Sequence, residues 1–175
     1  MERFGPGIIP QGMLFFTVRA VRRGDDIFVR EVEHLRRVMR AARTRYAFDI
    51  DAIVVLPEVI HTVWALSSGD QEFRRPWCMI RTMFARSITG AHPAVDQHLA
   101  RRGGIWQRNY QVHRIRDAND LAAHHRLIHD APVQAGLVDR PETWLHSSVH
   151  RARRDAGQGA DTAWVARTAH VQHIA

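Results

Sequence analysis

A chain of 175 residues is long enough for one domain with a real core and too short for two of ordinary size. Apolar residues make up 45% and charged residues 25%, which excludes a disordered chain, and all 25 basic residues are arginine, leaving a net charge of +7. Guanidinium forks match phosphate geometry, so this charge fits a nucleic-acid partner, although a GC-rich coding sequence would give the same Arg-rich, Lys-free composition. Cys78 is the single cysteine and excludes an intrachain disulfide. The longest apolar run, residues 52–60, is interrupted by Pro57 and Glu58, so no membrane span is expected. With no apolar signal segment in residues 1–12, a cytoplasmic protein is expected.

In chain order, residues 1–12 carry Pro and Gly breakers and read as an N-terminal extension. Residues 13–18 (MLFFTV) are aromatic and β-branched and predict a buried strand, ended by Arg22-Arg23-Gly24-Asp25. Phe28, Val32, Leu35, Met39, Ala42 and Tyr46 recur at steps of three and four, which predicts an amphipathic helix with those six on its core face. Two strands follow, residues 50–56 and 59–66, with Pro57-Glu58 as a tight hairpin turn. In the second of these, Val59, His61 and Val63 share one face while Ile60, Thr62 and Trp64 share the other.

Phe73, Trp77, Ile80, Phe84 and Ile88 mark a second helix, predicted to begin near Pro76. Residues 89–104 read as a loop and 110–115 as a fourth strand. Asp117, followed by Asp120, predicts the capped start of a third helix running to about Asp130. The order β-α-β-β-α-β-α predicts an α+β, ferredoxin-like antiparallel sheet with the helices packed on one face. The domain spans residues 13–150, and residues 151–175, with mixed charge and weak periodicity, form a C-terminal tail.

Several words along this chain occur together in one family. They include Phe15-Phe16-Thr17-Val18, residues 48–57 (FDIDAIVVLP), His61 with Trp64 and Leu66, and Gly69-Asp70. Later come residues 104–108 (GIWQR), His113 with Ile115-Arg116-Asp117, and Pro132-Val133 with Ala135-Gly136-Leu137-Val138. Trp144, Ser147-Ser148 and His150 complete the series. The sequence resembles the REP-associated tyrosine transposases, single-tyrosine members of the HUH nuclease class, over roughly residues 13 to 151.

The resemblance implies a DNA-handling enzyme that cleaves and rejoins single-stranded, hairpin-forming DNA. A strand His-x-His would ligate Mg²⁺ or Mn²⁺, and a helix Tyr would attack the phosphodiester. A polar residue four positions after the Tyr would complete the metal site. Steps of two on a strand and four on a helix keep each pair of groups on one side. The metal would polarise the phosphate, and the Tyr would divide a hard step into two.

In this chain the His-x-His falls on Val59-Ile60-His61, so His61 alone remains. The nucleophile position is Leu127 and the third ligand position is Ala131. A catalytic metal usually has about three protein ligands, so no metal cofactor and no catalysis are expected. Val59, Leu127 and Ala131 are expected to face one another in an apolar replacement of the site. The chain's two tyrosines, Tyr46 and Tyr110, fall on the first helix and fourth strand and offer no substitute on the third helix. His124, with the pair His125 and His129, combines with His61 as an alternative Zn²⁺ or Ni²⁺ set.

DNA contact is assigned to Trp106, Gln107, Arg108, Arg114 and Arg116, with Trp106 stacking on bases or, alternatively, packing in the core. The expected function is binding of single-stranded or hairpin DNA without cleavage. The alternative is a non-catalytic regulatory protein that binds DNA or a related transposase. Oligomeric state is not legible in the sequence.

Overall fold

The computed structural model describes residues 12–66, 73–89 and 104–151. The N-terminal extension, the Gly69-Asp70 word, most of the 89–104 loop and the C-terminal tail lie outside the described residues. The elements are β1 (Met13–Arg19), α1 (Ile27–Arg30), α2 (Val32–Arg45), β2 (Phe48–Val55), β3 (Val59–Leu66), α3 (Arg74–Thr89), β4 (Gln111–Arg114) and α4 (Ala118–Gln134). A 3₁₀ turn, Pro141–Thr143, follows.

The strands form one sheet in the order β2-β3-β1-β4, with every neighbouring pair antiparallel. This is the α+β, ferredoxin-like topology that the element order predicts: β3 lies between β1 and β2, which the helical crossover connects. The β2–β3 hairpin closes at Pro57-Glu58, where the Leu56 N–H donates to the Val59 carbonyl at 2.8 Å. The predicted first helix is broken at Glu31, leaving the short α1 and the longer α2.

The helices do not share one face, and this corrects the expectation. Leu14, Phe16 and Val18 of β1, with Ile60 and Trp64 of β3, bury one face of the sheet against α2 and α3. Met13, Phe15, Val54, Val59 and Val63 bury the opposite face against Ile128 and Ala131 of α4. The physical reason is visible in β1, whose residues 13–18 are all buried, so that both alternations need cover.

Three features fix α4 across that second face. Asp117 caps its start by accepting the Asp120 N–H at 2.8 Å. The helix continues past the expected end at Asp130, through Pro132, to Gln134. It then stops in a Schellman arrangement: Gly136 at φ +66° donates to Val133 and Leu137 donates to Pro132, at 2.9 and 3.0 Å. The outer edge of β2 is covered by residues 146–148, through Val55 N–H to His146 C=O and Ser148 N–H to Ile53 C=O, both 2.8 Å.

Candidate functional site

The α4 face of the sheet carries the positions that the resemblance assigns to chemistry. Val59 and Ala131 are both buried there, beside Ile128. Leu127 is not with them: it is 39% exposed on the outer side of α4. The expected mutual packing of Val59, Leu127 and Ala131 is therefore corrected: Val59 and Ala131 share one buried cluster, and Leu127 lies outside it. Residues 127 and 128 lie about 100° apart on a helix, and it is Ile128 that points inward.

His61 projects from β3 on the same face. Its Nδ1 is 2.9 Å from the Thr17 hydroxyl, its cross-strand partner, and its ring stacks on Phe15 with centroids 5.8 Å apart. Burial, aided by the charge of Arg19, lowers its pKa from 6.5 to about 4. The side chain is thus a neutral imidazole at pH 7, committed to Thr17. The other histidines of the alternative metal set do not join it. Phe15 lies between His61 and His124, its ring centroid 4.5 Å from that of His124. His125 bonds to Asp51 at 2.5 Å, where a β-bulge in β2 turns the carboxylate out, and stands 6.1 Å from His129.

Neither tyrosine replaces Leu127. Tyr110 packs against Phe16, Phe73 and Trp77, on the α3 side of the sheet, so the sheet separates it from His61. Burial raises its pKa, opposed by Arg74 and Arg81, which makes the phenolate harder to form. Tyr46 is the C-cap of α2.

The predicted DNA-contact residues divide between two places. The segment around Trp106 runs beside the end of β1, with the Gln107 N–H donating to the Arg19 carbonyl at 2.9 Å. Trp106 itself is 6% exposed; its ring packs on Phe28 and Phe84, and its Nε1–H donates to the Arg81 carbonyl at 3.2 Å. Both its apolar body and its polar tip are satisfied inside the protein, so Trp106 is a packing residue and the base-stacking expectation is corrected. Gln107 is half-buried at the edge of a small polar recess with Arg19, Arg23 and Glu58.

Arg108 is exposed and lines an open cleft of about 860 Å³ between α3 and residues 104–112. Arg74, Arg81 and Arg86 line the same cleft, with the aromatic faces of Phe73 and Tyr110. Arg81 also builds it, donating to the carbonyls of Gln107 and Arg108 at 2.7 and 3.3 Å. Arg114 pairs with Leu14 across the sheet and so projects on the cleft's side. Arg116 does not join them; its guanidinium and backbone N–H both donate to Asp120 at 3.1 Å.

The arginines of α3 were missed in the sequence, although a signal was present. Arg74, Cys78, Arg81, Thr82, Ala85 and Arg86 follow a helical stripe beside the apolar one.

Among the described residues no helix is long and apolar enough to cross a membrane. No protein-family model matches the sequence. The chain is 31% identical over 151 residues to a REP-associated tyrosine transposase of Escherichia coli, covering 86% of this chain and 84% of that protein. It is 30% identical over 142 residues to a putative REP-associated tyrosine transposase of Haemophilus influenzae, covering 80% and 81%. A solved REP-associated tyrosine transposase bound to a REP hairpin superposes with a TM-score of 0.68 at 30% identity, covering 86% of this chain and 84% of that one.

Proposed function

Because this chain belongs to the REP-associated tyrosine transposases, we propose that it binds hairpin-forming single-stranded DNA and does not cut it. The carrying observation is a contrast between the two faces of one sheet. On the α4 side, Val59 and Ala131 are buried against the sheet and Leu127 lies on the outer side of the helix, so only hydrocarbon stands where the family chemistry needs two metal ligands and a nucleophile, and His61 is an imidazole held by Thr17. On the α3 face, a cleft retains four arginines beside the half-buried rings of Phe73 and Tyr110, the combination that tracks a phosphate backbone and meets bases.

The relative solved with a REP hairpin supports the choice of a folded DNA ligand. In this reading no metal is required for binding, and the chain acts in the cytoplasm. Leu127 has no atom able to attack phosphorus, and no pKa shift supplies one. Arg81 shapes the cleft through Gln107 and Arg108, whereas Arg74 and Arg108 reach outward and are the phosphate contacts.

The test is a gel-shift series with hairpin and linear oligonucleotides over a range of salt. Each phosphate contact adds about −0.7 (single strand) to −0.9 (duplex stem) to the log–log salt slope. Arg74→Ala and Arg108→Ala are each expected to flatten the slope by about that amount, with hairpins preferred over linear DNA. A slope unchanged in both variants, or equal binding of heparin and hairpin, would show only nonspecific charge.

A further inference from the structure

The α4 face holds a second group of donors outside the four positions just described. His113 projects from β4 on the α4 side, opposite Phe15; Asp120 and His124 stand one turn apart in α4. His113 Nε2 is 2.9 Å from Asp120 Oδ2, and His124 Nδ1 is 3.2 Å from Asp120 Oδ1. The three donor atoms lie within 4.8 Å of one another, and among the described residues no other three His, Cys, Asp or Glu side chains meet in this way. We propose that His113, Asp120 and His124 bind a divalent first-row transition cation of the Zn²⁺ type.

The geometry fits one ion. Donors about 2.1 Å from a tetrahedral centre are about 3.4 Å from each other; the His113 and His124 nitrogens stand 2.9 and 3.2 Å from the two different oxygens of the Asp120 carboxylate, so a small turn of that carboxylate brings one oxygen to a shared ion. The rings of His113 and His124 stack with centroids 4.8 Å apart and planes 19° apart, so side-chain rotation aims their nitrogens at a common ion. The Asp120 carboxylate lies between the two imidazoles, accepting from His113 Nε2 at Oδ2. Arg116 also fixes its orientation, donating twice to Oδ2, and leaves Oδ1 facing His124.

Exposure is graded in the way an entry path requires. Asp120 is 8% and His124 16% exposed, while the His113 side chain is 41% exposed and opens the site to solvent. Three protein ligands leave a fourth position for water or a phosphate oxygen. Two imidazoles with one carboxylate suit Zn²⁺ or Ni²⁺ better than Mg²⁺, which takes oxygen ligands. Binding needs no redox change. His113 Nε2 gives up the proton it now donates to the Asp120 carboxylate, and His124 Nδ1 the one it donates to the Asp120 backbone carbonyl at 2.8 Å; each proton moves to its ring's other nitrogen. The ion would lie across the Phe15 ring from His61 and use none of the residues aligned with the family metal site.

The test uses the full chain without an affinity tag. Calorimetric titration with Zn²⁺ alone is expected to give one ion per chain, and Co²⁺ is expected to give d–d absorption bands of a nitrogen-ligated site. His113→Gln and His124→Gln should each weaken binding at least tenfold, while His61→Gln leaves it unchanged and millimolar Mg²⁺ does not compete. In the unaltered protein, imidazole ¹⁵N resonances of His113 and His124 should shift on adding Zn²⁺ while those of His61 stay in place, a readout that survives a variant failing to fold. Absence of a stoichiometric ion, or shifts at His61 or His125 without shifts at His113 and His124, would overturn the assignment and leave a hydrogen-bonded His–Asp–His chain.

Discussion

His61 enters the fold as a base that the surroundings keep neutral. Desolvation lowers its pKa from 6.5 to about 4, so between those values the unfolded chain binds a proton that the native state refuses. Stability is therefore full above pH 6.5 and falls as the pH drops toward 4. The span of the shift sets the loss at about 3 kcal/mol. Thermal melts from pH 7.5 to 4 are expected to show this decline, and His61→Gln should remove most of it. An unchanged pH profile in that variant would assign the decline to His129 and His146, whose pKa values burial also lowers. The identity of His61 was legible in the sequence, as was its face of β3. Its hydrogen bond was not, because Thr17 is 44 residues away and reaches it only through strand register. Trp106 shows the complementary limit. An aromatic beside a Gln and an Arg reads equally as a stacking platform or a core plug, and only the positions of Phe28, Phe84 and the Arg81 carbonyl decide for the core.

Helix α4 is the element on which both sites of the second face depend. Its start was legible from Asp117, since a cap residue before a polar-apolar run has a local cause. Its end was not, because Pro132 suggests a break; the helix instead absorbs the proline in its last turn and closes at Gly136. Gly136→Ala tests that closure. An added Cβ meets no atom within 4 Å, so the cost is backbone strain at φ +66° alone, about 1 kcal/mol. Denaturant unfolding should register that loss with the slope unchanged; no loss would mean the helix can end without the left-handed residue. The face that α4 covers was also misread. A continuous apolar run at 13–18 satisfies a strand buried on one side or on both, and alternation along β1 is absent. Helix α3, by contrast, was legible in its core stripe, and its arginine stripe followed the same periodicity.

For the whole molecule, the sheet separates two kinds of surface. The α3 side combines a packed aromatic core with an arginine-lined cleft, and the α4 side carries His61, the hydrocarbon positions Val59, Leu127 and Ala131, and the His113–Asp120–His124 group. Topology and strand order followed from element order, since the β2–β3 hairpin and the crossovers allow few alternatives. The division of these groups between the two faces required the fold itself. Val59 and Ala131 add buried apolar surface, worth roughly 1.5–3 kcal/mol for a fully buried Val, so the loss of chemistry proposed above would not weaken the domain. The most direct measurement is incubation of the full chain with hairpin DNA and Mg²⁺ or Mn²⁺, followed by native and denaturing gels of the same sample. The expected result is a shifted complex on the native gel with neither a nick nor a covalent protein–DNA adduct on the denaturing one. A phosphotyrosine adduct mapped to Tyr46 or Tyr110, or intact DNA with no shifted complex at any protein concentration, would contradict binding without cutting.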